Sequence, residues 1–133
     1  MSGKRSNRRP SVPANVKTGR AGEKTAERYL LENGYRIYGR NVRFCHDEID
    51  IIAWDPVDNV VVFAEVKTRT IHSDDFCPSL NLTHRKRYAM CRAARKWVVE
   101  HRWYGGYRLD LLSVAKNIVV QHNKELAWSR SRM

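Results

Sequence analysis

Glu48-Ile49-Asp50-Ile51-Ile52 and, past a turn, Val61-Val62-Phe63-Ala64-Glu65-Val66-Lys67 decide how this chain is read. Both runs are rich in β-branched and aromatic residues, and Asp55-Pro56-Val57-Asp58-Asn59 between them has the composition of a turn, so the pair predicts a hairpin. Side chains two apart on a strand share a face, which puts Glu65 and Lys67 together. Asp50 on the neighbouring strand can lie opposite Glu65 at the same end of the hairpin. Two carboxylates that close repel each other and resist joint ionisation unless a cation sits between them. Magnesium meets that need, because it prefers oxygen ligands and retains several waters. Each residue also has a bland reading. Lys67-Thr68-Arg69 can be the solvated end of a strand, Asp50 a turn cap, and Glu65 an ordinary ion-pair partner of Lys67. All three coincidences would have to fall on two otherwise very apolar strands, so divalent-metal and phosphate chemistry is the stronger expectation.

The rest of the composition sets bounds on that expectation. The 133 residues suffice for one domain with one modest core. Lys and Arg number 25 against 14 Asp and Glu, a formal charge of +11 that favours a polyanionic partner without distinguishing DNA, RNA or acidic lipid. A merely very soluble or ribosome-associated basic protein would share that charge. Cys45, Cys77 and Cys91 are odd in number and lack CxxC spacing. They read as unpaired thiols of a reducing compartment rather than as a disulfide framework or a zinc site. No run approaches a membrane span and the amino end lacks a signal-peptide core, so a cytoplasmic protein with no membrane partner is expected.

Three segments are expected along the chain. Residues 1–17 carry Lys4, Arg5, Arg8, Arg9 and Lys17 with Pro10 and Pro13, and read as a flexible basic tail. Residues 18–126 form the single domain, and residues 127–133 a C-terminal tail. A first helix is predicted from about Arg20 to Asn33, with Thr18 as its cap and Asn33-Gly34 as its stop. Gly22, Ala26, Tyr29 and Leu30 form its packing stripe, and Glu23 falls on the inward side. Strands follow at Tyr35–Phe44, Glu48–Trp54 and Val60–Lys67. The last of these is nearly apolar on both faces and therefore central. Residues 68–81 read as an irregular loop. A second helix is predicted from about Thr83 to His101, buried through Met90, Ala94, Trp97 and Val98. Gly105-Gly106 turns into a strand at Tyr107–Val114, and residues 117–121 read as a short edge strand. Asp110, between two leucines, is expected to meet Arg108 or an arginine of the second helix.

At these residues the chain resembles the YraN family of small bacterial endonuclease-like proteins, over roughly residues 18–115. The resemblance rests on Thr18-Gly19-Arg20-Ala21-Gly22-Glu23-Lys24-Thr25-Ala26, on Gly34-Tyr35 through Arg40-Asn41, and on the two acidic strands. It continues through Phe76-Cys77-Pro78 and Thr83-His84-Arg85-Lys86-Arg87. That family looks like a minimal PD-(D/E)XK nuclease, distantly similar to archaeal Holliday-junction resolvases. The resemblance implies an α/β fold with a restriction-endonuclease-like αβββαβ core, a central mixed sheet flanked by helices. It implies catalytic roles for Asp50, Glu65 and Lys67, with Glu23 as an additional helical acid and Asp50 and Glu65 as ligands of Mg2+, for which Mn2+ can substitute. The expected activity is metal-dependent endonucleolytic hydrolysis of DNA, with branched repair or recombination intermediates as substrates and a homodimer as one arrangement. Arg69, His84, Arg85, Lys86 and Arg87 are expected to contact nucleic-acid phosphates. A catalytically silent nucleic-acid-binding protein and an RNA-directed nuclease fit the same residues. The family usually has Gly before its Glu-Ile-Asp, whereas this chain has Asp47, so a turn that needed Gly is expected to use Asp here.

Overall fold

The computed structural model describes residues 14–69 and 83–129. Of the expected loop at 68–81, Thr68 and Arg69 instead continue the preceding strand. Residues 70–82, the Phe76-Cys77-Pro78 motif among them, lie outside the described residues together with residues 1–13 of the tail and the last residues 130–133. In order, the elements are α1 (Ala14–Glu32), β1 (Arg36–Phe44), β2 (Asp47–Asp55), β3 (Val60–Arg69), α2 (His84–Glu100), β4 (Tyr107–Ala115) and β5 (Ile118–Ser129). The strands form one sheet in sequence order, with β3 in the middle. Adjacent strands are antiparallel except β3 and β4, which run parallel. A parallel pair needs a long crossover, and α2 lies within it. This is the expected α/β architecture, the αβββαβ core, with one further strand added at the edge.

Burial of the two faces follows from alternation along β3. Val60, Val62 and Ala64 join Ala26 and Leu30 of α1, while Val61 and Phe63 join Met90, Ala93 and Ala94 of α2. A strand apolar on both faces is thereby sandwiched between two helices, each contributing one stripe. Trp97 and Val98 pack on the α2 side and Tyr29 on the α1 side, partly buried. Gly22 sits where α1 crosses the end of β3, since an added Cβ would fall 2.0 Å from Thr68 Oγ1.

Helix α1 stops as its sequence dictates. Gly34 adopts φ +85°, its amide donates to the Leu31 carbonyl at 3.1 Å, and the Tyr35 amide reaches back to Leu30 at 2.9 Å. That is a Schellman cap, with Leu30 and Tyr35 packed in the same cluster. The other end differs from expectation. The helix begins at Ala14, not near Arg20, so Thr18 lies inside it and does not cap it, and residues 14–17 are helical rather than tail. The edge strand also runs further than residues 117–121, through Ser129, so the C-terminal tail does not begin at residue 127.

Beneath α1 lies a buried polar network around Arg108, which has no exposure. Its guanidinium donates to both Asp110 oxygens (2.7 and 2.9 Å), to Asp55 (3.0 Å), to Asp58 (2.8 Å) and to the Tyr35 hydroxyl (3.1 Å). Burial alone would lower the guanidinium's pKa, but Asp110, Tyr35 and Asp55 outweigh it and hold the group raised. Asp110 Oδ2 also accepts from His122 Nε2 at 2.6 Å, and His122 Nδ1 lies within hydrogen-bond distance of the Tyr29 hydroxyl at 3.0 Å. Asp110 thus meets Arg108, one of the two partners expected for it, while Asp55 also accepts the Val57 and Asp58 amides and shapes the β2–β3 turn.

Candidate functional site

The β2–β3 ladder stops one residue short of the acidic pair. Its last partners are Ile51 and Ala64, so Asp50 and Glu65 are the first residues beyond it. Strand β3 continues to Arg69 paired only with β4, while β2 remains paired with β1 to Asp47. The two strands therefore part at the acids. Face alternation also breaks here, since Ile49 and Ile52 both pack toward α2 whereas Ile51 packs toward α1. In the gap the Asp50 side chain replaces the missing ladder bond, its Oδ2 accepting the Val66 amide at 2.8 Å.

Glu65 is buried, 5% exposed, on the α2 side of the sheet. Lys67 Nζ lies 3.7 Å from its Oε1, and Lys86 Nζ, from the first turn of α2, lies 3.4 Å from Oε2. Oε2 accepts no hydrogen bond among the described residues. Burial pushes the Glu65 carboxyl up to about 7. Repulsion from Asp50, which also offers an acceptor to the protonated form, adds to this, and Lys86 and Lys67 offset it in part. Glu23 approaches Asp50 from α1 and is likewise raised, first by burial and then by Asp50, while a hydrogen bond from Asn41 opposes the rise. Glu23 and Asp50 share a cleft of about 280 Å³ with Arg20, Lys24, Glu27, Arg40, Asn41 and Ile51. Asp50 is the common neighbour, with Glu65 on one side and Glu23 on the other.

Among the described residues no group of three or more His, Cys, Asp or Glu side chains is arranged to hold a metal ion. Asp50 and Glu65 are two carboxylates, which is the number magnesium commonly takes from a protein when waters and substrate phosphate complete its shell. The buried Glu65 Oε2 without a hydrogen bond fits that use, since a buried polar atom normally has a partner.

Of the basic residues, His84 and Arg85 are exposed at the start of α2, Lys86 and Arg87 are partly buried beside them, and Arg69 is partly buried at the end of β3. Thr83 caps α2, accepting the Lys86 amide at 3.1 Å, and the first turn holds no acidic residue. Cations at the positive end of a helix are unfavourable in isolation and leave it ready for an anion. Asp47 behaves differently from expectation. The positive φ of the β1–β2 turn belongs to Cys45 (57°) and not to Asp47. Arg92 of α2 holds the Asp47 carboxylate at 3.0 and 3.2 Å and lowers its pKa, so its charge is already paired. The contacts of Lys86 with Glu65, Asn41 with Glu23 and Arg92 with Asp47 all escaped the sequence reading. A threonine just before the basic run His84–Arg87 is the kind of capping signal that could have located the first turn of α2 and Lys86 within it.

A mixed five-stranded sheet with an acid–lysine cluster where two strands part defines the structural class. The uncharacterised protein family UPF0102 matches residues 22–114, and the chain belongs to it. Relatives known as UPF0102 proteins include one from Nitratidesulfovibrio vulgaris, 40% identical over 79% of this chain and 77% of its own length. One from Mycobacterium tuberculosis is 39% identical over 74% of the chain and 77% of its length. Another from Oleidesulfovibrio alaskensis is 37% identical over 92% of this chain, and the match spans 59% of that longer relative. Among the described residues no helix is long and apolar enough to cross a membrane.

Proposed function

We propose that the chain is a magnesium-dependent endonuclease that hydrolyses DNA phosphodiesters, with branched repair or recombination intermediates as its substrate class. The observation that carries this reading is Glu65, a buried carboxylate beside Asp50 with one oxygen lacking a hydrogen bond and two lysines within ion-pair range. Asp50 and Glu65 would hold the ion, and the bound metal would lower the pKa of a water and draw charge from the scissile phosphate. Lys67 orients the attacking water and stabilises charge developing on the phosphate. Glu23 acts through Asp50, keeping that side of the cleft acidic. His84, Arg85 and Arg87, with Arg69, hold the backbone by charge and carry no sequence information.

Direct attack by water leaves no protein–DNA bond, so chelation with EDTA abolishes turnover, magnesium restores it, and denaturing gels recover no adduct. Glu65→Ala and Lys67→Ala remove cleavage while leaving the fold and DNA binding in place. Turnover that survives chelation, or a tyrosyl adduct, contradicts the mechanism. A second reading, a nucleic-acid-binding protein without turnover, is favoured by the two ammonium groups that already neutralise Glu65. Salt-sensitive binding without cleavage of any DNA or RNA substrate would establish it.

A further inference from the structure

Lys86 does not point only to solvent like its neighbours His84 and Arg85, but reaches back to Glu65. We propose that Lys86 is an internal counter-cation that holds Glu65 Oε2 until a divalent ion displaces it, and that the freed ammonium then takes a substrate phosphate, so that metal and nucleic acid bind cooperatively. The inference rests on the assignment of Asp50 and Glu65 as metal ligands.

Three observations carry it. The Nζ–Oε2 separation of 3.4 Å is within ion-pair range yet longer than a good N–H···O hydrogen bond, and Oε2 counts no hydrogen bond among the described residues. Charge holds the ammonium there, and no directional bond locks it. Lys86 enters from the solvent side, its side chain 34% exposed against 6% for that of Glu65, so it can leave without opening the core. Its backbone is fixed, because its amide donates to the Thr83 cap. The stem therefore pivots from a fixed point in the first turn of α2, where a phosphate is favoured and Glu65 is within reach. Lys67 differs, being on the same strand as Glu65 and beside the other oxygen at 3.7 Å. A dication arriving at Glu65 repels the Lys86 ammonium at close range, and an incoming phosphate draws it away. Each ligand thus relieves a cost of binding the other, and such coupling is reciprocal.

Calorimetric titration of the full chain with Mg2+ and Mn2+, without nucleic acid, tests this directly. Lys86→Met keeps the stem and removes the charge, and it should bind metal about tenfold more tightly than the wild type. Lys86→Arg keeps the charge and should stay near the wild type, and Glu65→Ala should abolish binding in either background. A purely structural ion pair would give the opposite sign, since its loss loosens Glu65. A second arm measures duplex affinity with and without Ca2+, another oxygen-seeking ion. Both should gain affinity on adding Ca2+, because the ion itself meets the phosphate, but Lys86→Met should gain clearly less than the wild type. Unchanged or weaker metal binding in Lys86→Met, where Glu65→Ala still abolishes it, overturns the role of Lys86 and leaves the metal site standing. Binding that ignores Glu65→Ala, or none in both wild type and Lys86→Met, overturns both.

Discussion

Glu65 sits 5% exposed at the middle strand of the sheet, beside another carboxylate and two lysines whose side chains are about a third exposed. Its pKa, about 7 against an ordinary 4.5, makes the metal-free native state bind a proton that the unfolded chain has already released between those values. A raised carboxyl stabilises the fold fully below about pH 4.5, and that contribution disappears as pH climbs through 7. The ceiling on the effect is of order 3 kcal/mol. Glu23 is shifted in the same direction, so the informative quantity is the difference between wild type and Glu65→Gln. Urea unfolding in the presence of a chelator should show the wild type losing stability between pH 5 and pH 7.5, and Glu65→Gln losing clearly less. Equal losses would mean that Glu65 is already ionised at pH 5, held so by Lys67 and Lys86.

At the scale of elements, β4 is tied to its neighbours through one buried side chain, Arg108. Arg108 joins it to the β2–β3 turn through Asp55 and Asp58, to α1's exit through Tyr35, and through Asp110 to His122 of β5. Replacing it with Met leaves Asp110 and Asp55 buried without a cation, a change expected to destabilise the fold by about 3–5 kcal/mol. Chemical denaturation measures this, and a loss under 1 kcal/mol would show that the carboxylates are neutralised in another way. Much of the fold was legible beforehand because it depends on local pattern. Val60–Phe63 had to be central since both faces are apolar, and Asn33-Gly34 could only end a helix. Two features escaped because local composition does not mark them: Ala14–Lys17 are helical although their composition resembles the tail, and β5 continues through His122-Asn123-Lys124, a polar stretch without alternation. Others depend on contacts between distant segments. The Arg108–Asp110 contact was open to inference from two residues on one strand face, whereas the Asp55 and His122 contacts span 53 and 12 positions. Likewise Asp50, Glu65 and Lys67 were visible as a cluster, but the arrival of Lys86 depends on how α2 returns to the sheet.

For the whole molecule, a formal charge of +11 coexists with neighbouring acids Glu23, Asp50 and Glu65, and under the proposed function a nucleic acid drawn to the basic surface would meet an acidic centre that a divalent ion neutralises. Arg85 is exposed at the capped start of α2. Arg85→Ala should weaken DNA binding across sequences and lower the slope of log affinity against log salt by about one. An unchanged slope would place the phosphate path elsewhere on the molecule. The most direct measurement is cleavage of matched single-stranded, duplex, flap and four-way DNA, with an RNA counterpart, in magnesium and in manganese, alongside Glu65→Ala. Metal-dependent scission of DNA by the wild type, strongest on the branched substrates and absent from a folded, DNA-binding Glu65→Ala protein, is the expected result. Cleavage equal in the Glu65→Ala protein, or none on any substrate with either metal, would contradict a hydrolytic centre at Asp50, Glu65 and Lys67.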